Sequence, residues 1–194
     1  MRNTAFLFAG LALLFLQSNL FRLTRLLEQG IGWLLVALHV THGPVSIPGL
    51  VPSLVLPLIL FMGVHEYSLA RGAGVAFALG YVTDLLGIAP VGLYTFTYVA
   101  IFVLARSAGV RLAAQTRWMQ MLLVLAFAFV ESLIVLVLLA IFGRDAWVPR
   151  TLYPLTLPHV LITGLVSPLV FRIAARLHAA TAGRERADIA GGES

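Results

Sequence analysis

Six times along this chain, a run of about 20 residues passes with almost no charge, and no other feature restricts the fold so strongly. An α-helix rises about 1.5 Å per residue, so such a run crosses the roughly 30 Å hydrocarbon core of a bilayer. The runs lie near 4–22, 50–70, 73–89, 91–106, 118–142 and 155–177, bounded by arginine, proline or glycine. They predict an all-α fold, a polytopic membrane helix bundle with about six transmembrane helices. Composition agrees: 60% of the 194 residues are hydrophobic and 11% are charged. A soluble domain of this size has no interior large enough for that much apolar surface. Residues 1–180 therefore read as a single transmembrane helix-bundle domain, with little left for a domain outside the membrane.

Two segments stand apart. Residues 31–40 are apolar but too short to cross, and Thr41-His42-Gly43-Pro44 and Pro48 follow them. An interfacial helix is expected there. An irregular seventh span is the competing reading, and it would invert the topology downstream. Residues 181–194 are polar and rich in small residues, which predicts a disordered cytoplasmic tail. At the other end, Arg2 precedes an apolar run much as in a signal peptide. That run reaches Phe21 without a small-x-small cleavage site, so a retained first helix is expected.

Arginine placement orients the bundle. Every basic side chain is arginine, and the formal net charge is +5. With six spans and the N-terminus inside, the inner side carries Arg2, Arg71, Arg106, Arg111, Arg117, Arg172, Arg176, Arg184 and Arg186. The outer side carries Arg22, Arg25, Arg144 and Arg150. Nine against four predicts both termini in the cytoplasm of a multi-pass inner-membrane protein. The basic loops suit an anionic lipid surface. They are too thinly spread for a nucleic-acid-binding patch.

Several chemistries are excluded. The chain has no cysteine, hence no disulfide, thiolate metal site or cysteine nucleophile. It carries no G-x-S-x-G elbow, P-loop or G-x-G-x-x-G fingerprint. His65-Glu66-Tyr67-Ser68-Leu69 begins like the zinc motif H-E-x-x-H, but Leu69 stands where the second histidine belongs. No catalytic residue, cofactor site or metal site is therefore assigned, and His65 and Glu66 are placed at the inner end of the second span.

What remains is a small set of polar groups within apolar runs, where each ionisable side chain needs a partner or a purpose. Asp84 lies on a stripe at helical spacing with Ala73, Ala76, Gly80 and Gly87. Small residues about four apart let helices approach closely, so Ala76, Gly80 and Gly87 are expected to pack and to carry Asp84 into the bundle. Asp84 is read as a structural hydrogen-bonding group, with Gln17 and Asn19 as candidate partners. An asparagine in its place is expected to serve nearly as well. Proton or ligand handling is the alternative. Glu131 has no arginine within one turn and must be neutral or paired. His159 follows Pro158 near the start of the sixth span, a packed polar residue on the simplest reading. Counting about 1.5 Å per residue, Gln17, Asp84 and Glu131 fall roughly 18–20 Å from the inner boundary, with His159 close to that level. Four polar groups from four helices thus form one expected layer in the outer half of the bilayer. Ala5-x-x-x-Ala9 before Gly10 adds a further small-residue pattern in the first span.

One block then becomes specific. Arg71-Gly72 is followed by Gly80-x-x-x-Asp84-Leu85-Leu86 and by Pro90-x-Gly92-Leu93-Tyr94. This order resembles the bacterial rod shape-determining protein MreD family. Leu16-Gln17-Ser18, Glu131 and Ser167-Pro168-Leu169-Val170-Phe171 before Arg172 and Arg176 are similar to the family as well. The resemblance covers about five of the six spans in order. It departs at an insertion near 28–49, and at Pro52-Ser53, where the family often has proline-aspartate. The resemblance implies a fold similar to the substrate-binding subunits of energy-coupling-factor transporters. It implies a non-enzymatic component of the cell-elongation machinery, partnered by MreC, a single-span membrane protein. Through that partner it would be coupled to MreB filaments and peptidoglycan synthases. Two rival readings differ in class: a small-molecule-binding subunit of such a transporter, and a lipid-modifying enzyme using Asp84, Glu131 and His159 as acid-base groups.

Overall fold

A computed structural model describes residues 4–20, 52–65, 68–87, 90–108, 116–142 and 148–191, with side chains on the last helix placed from 156 to 181. The described residues contain no strand and form six helices. These are α1 (Thr4–Leu20), α2 (Val55–Val64), α3 (Leu69–Leu86), α4 (Leu93–Ser107), α5 (Arg117–Phe142) and α6 (Val148–Gly191). Leu69–Leu86, Arg117–Phe142 and the Thr156–Thr181 part of α6 are long and apolar enough to cross a membrane. The other three helices are shorter. Residues 31–40 lie outside the described set.

The bundle is built around α2. All ten of its residues are buried, from Val55 to Val64. It packs against α3, α4, α5 and α6, and Phe6 of α1 stacks on its Phe61 with ring centroids 6.1 Å apart. The span expected over 50–70 is therefore a much shorter helix. Ten residues make about 15 Å of helix, half of a hydrocarbon core. Proline explains its late start. Pro57 has no N–H to donate, and Pro52 and Ser53 precede the helix as non-helical chain. The helix stops at Val64, where His65 leaves the helical region at φ −98° and ψ 61°.

Non-helical backbone at membrane depth is tolerated only when other groups satisfy it. Here side chains do so. The Leu54 N–H donates to Oε1 of Gln17 on α1 at 2.9 Å. The Ser53 N–H donates to Oγ1 of Thr163 on α6 at 3.0 Å. Ser53, just before the N-cap Leu54, in turn accepts from the Leu56 N–H at 3.4 Å, a long bond.

The outward faces are apolar. On α6, Leu157, Leu161, Leu165, Leu169 and Ile173 recur every fourth residue and are all exposed. On α5, Leu122, Phe129, Leu133 and Val137, spaced seven, four and four apart, are exposed on one face as well. Such continuous apolar faces are intolerable in water and ordinary in lipid. Hydroxyls within the helices fold back onto their own backbone: the buried Thr97 of α4 donates to the Leu93 carbonyl at 2.7 Å, and Ser132 of α5 to the Ala128 carbonyl at 2.9 Å.

The C-terminal end differs from expectation. From Thr181, where a disordered tail is predicted, the backbone stays helical to Gly191. Arg184-Glu185-Arg186-Ala187 follows the last span without a proline, and these are good helix formers.

Candidate functional site: a buried polar knot

The α3–α4 hairpin carries the best-satisfied polar group. Asp84 is 2% exposed, in the last turn of α3. Its Oδ1 accepts the Tyr94 N–H at 2.8 Å. Its Oδ2 accepts the Gly92 N–H at 2.9 Å, the Thr95 N–H at 3.0 Å and the Thr95 hydroxyl at 2.6 Å. These N–H groups belong to the first turn of α4, which has no intrahelical acceptors for them. A carboxylate from the preceding helix therefore caps the next one, where the helix dipole also favours negative charge. Gly92 makes this possible. Its φ of 101° lies in the left-handed region, so the chain turns sharply and presents successive N–H groups to one carboxylate. The partners proposed for Asp84 from sequence are thus corrected. Gln17 serves α2, and Asn19 donates to its own helix at the Phe15 carbonyl, 2.9 Å away. Both come from α1, whereas the turn into α4 lies only eight to eleven residues beyond Asp84 and reaches it first.

The small-residue stripe lets this happen. Gly80 lies one turn before Asp84, and a Cβ on it would come within 2.6 Å of Thr95 Cα and 2.7 Å of the Tyr94 carbonyl oxygen. Ala76 is fully buried on the same face. Gly72, which the sequence reading passed over in favour of Ala73, continues the stripe, and a Cβ there would run into the Phe102 ring. Gly87 is different: it is exposed and forms the C-cap of α3, so it ends the helix instead of packing against a neighbour.

Glu131 on α5 is 4% exposed, with Oε2 buried and unbonded. It is electrostatically close to the hydroxyls of Tyr94 and Tyr98 on α4. Tyr98 is 1% exposed, and its hydroxyl lies against the side chains of Ser53 and Thr83. Ser53 leads on to Thr163 and, one residue later in the backbone, to Gln17. His159 is half-buried one turn before Thr163. Polar side chains from α1, α3, α4, α5 and α6 therefore gather with Ser53 around the start of α2. Gln17, Asp84 and Glu131 stand out in the sequence. Ser53, Thr83, Tyr98 and Thr163 do not, because hydroxyls within apolar runs give no periodic signal.

Chemically, the knot is a set of helix caps. Its bonds end mostly on backbone N–H groups of this chain, and among the described residues no group of three or more His, Cys, Asp or Glu side chains converges for a metal ion. Long apolar outer faces around such an interior define a helical membrane protein whose polar groups join its own helices. The family model for rod shape-determining protein MreD matches residues 24–175, most of the chain. The chain belongs to the MreD family and takes part in rod-shape determination. No curated protein and no solved structure matches it.

Proposed function

We propose that this chain is a membrane scaffold of the cell-elongation machinery, without a chemical step of its own. It holds an MreC-like single-span partner in the inner membrane and through it links MreB-like filaments to peptidoglycan synthases. The family match over residues 24–175 carries this reading. The polar knot supports it: Asp84, Gln17 and Thr163 accept backbone N–H groups at the starts of α4 and α2, which ties α3, α1 and α6 to those helices. The outward apolar faces of α5 and α6 offer length enough for a partner helix and for lipid.

Two experiments test this. The protein, extracted from membranes in mild detergent, is expected to copurify with an MreC-like partner, and its depletion is expected to turn rods into spheres. Normal shape with an ATP-dependent uptake defect would replace the scaffold by a transport subunit. The proposed topology has six membrane-embedded helices and both termini in the cytoplasm, from the arginine asymmetry. A reporter joined after Ser194 is expected to behave as cytoplasmic. A periplasmic reporter there would reverse the orientation and make the segment before α2 a further crossing.

A further inference from the structure

We propose that His65 and His178 form a binding site for a divalent transition-metal ion of the zinc type, at the end of the bundle where α2 stops. The inference is independent of the scaffold reading. His65 opens the incomplete H-E-x-x-H pattern, whose second histidine is missing from the sequence. The fold supplies a histidine from elsewhere: His178 of α6 faces His65 with ring centroids 6.0 Å apart. Metal–nitrogen bonds of about 2.0–2.1 Å place two imidazoles on one zinc with centroids about 5–6.4 Å apart, from tetrahedral to linear angles. The observed 6.0 Å corresponds to an angle of about 140° at the ion, wider than tetrahedral, so the rings close by about 0.8 Å when zinc binds.

The nitrogens are also in the right state. His65 Nδ1 is 3.1 Å from the Phe61 carbonyl oxygen, which can only accept. Nδ1 therefore carries the proton and Nε2 keeps its lone pair. This Nδ1–H to carbonyl bond is the usual way a metal-binding imidazole is oriented. On the other ring, His178 Nδ1 is buried with no hydrogen-bond partner, although a buried ring nitrogen ordinarily finds one. The rings are held in place by aromatic packing. Phe61 stacks on His65 at 3.9 Å and meets His178 edge-on at 6.2 Å, and Phe171 closes on Phe61 at 5.8 Å. Imidazole ligands suit zinc, copper and nickel over the harder magnesium and calcium. With two protein ligands the remaining positions go to water, so the ion is exchangeable.

The test uses untagged, full-length protein in detergent, stripped with a chelator and titrated with Zn2+ against a chromophoric competitor. One saturable ion per chain is expected. His65→Phe and His178→Phe keep the ring packing and remove the ligand, and each is expected to weaken binding at least tenfold. Wild-type affinity in either variant, or no saturable binding by the native protein, would overturn the site. Should a variant misfold, zinc-edge X-ray absorption of the loaded native protein decides: two coordinated imidazoles are expected, and one or none refutes the proposal.

Discussion

Gly80→Ala is expected to destabilise the protein by about 3 kcal/mol, at the upper end of what overpacking costs. The added methyl would stand 2.6 Å from Thr95 Cα and 2.8 Å from its amide nitrogen. Backbone atoms cannot swing aside as a side chain can, so α3 and α4 must separate. That separation also pulls Asp84 from the start of α4, one turn further along. Gly74 in the same helix is the control, since a Cβ there meets nothing within 4 Å. Gly74→Ala is expected to be neutral or stabilising by up to about 1 kcal/mol, from helix propensity. Unfolding of the two purified variants in detergent, followed by circular dichroism, makes the comparison. Equal stability would mean that the helices do not approach so closely at Gly80.

Asp84→Leu is expected to cost on the order of 2–4 kcal/mol. Four hydrogen bonds vanish together, and bonds between membrane helices average about 0.6 kcal/mol each. The N–H groups of the first turn of α4 are then left without an acceptor, which adds to the loss. The structure also changes what asparagine should do. From sequence, an asparagine at this position would keep shape and bonding capacity. In the fold, both carboxylate oxygens receive donors, so an amide NH2 would face an N–H whichever way it turned. Asp84→Asn is therefore expected to lose about half as much stability as Asp84→Leu, and Thr95→Val less than either. Abundance in membranes, thermal stability in detergent and recovery of rod shape are the three readouts. An asparagine variant as stable as the native protein would refute the cap. A stable variant that also failed to restore shape would place a charge-dependent step at Asp84.

Both effects come from one hairpin, and much of that hairpin is legible in the sequence. Charge-poor runs of membrane length and a Gly80-to-Asp84 spacing are local facts. They suffice for a helical membrane bundle and for the order of motifs that the family shares. The register of small residues on α3 follows from helical periodicity alone, which is why Ala76 and Gly80 could be placed on a packed face before any fold was known.

What periodicity does not carry is the path of the chain between helices. A hydropathy window cannot distinguish a helix that faces lipid from one enclosed on every side, so α2 read as a full span when it is a ten-residue buried core. Nor does it say which backbone donors fall short of an acceptor. Asp84 meets the start of α4 because Gly92 turns the chain left-handed, and Gln17 meets Leu54 because α2 begins late, after Pro52. His65 and His178 lie 113 positions apart and share no pattern; they meet only because α6 passes the end of α2. Apolar length and spacing, set residue by residue, determined the class and the packing stripe. Hydrogen-bond partners lie within about 3 Å in space at any separation along the chain, so tertiary structure alone decided them.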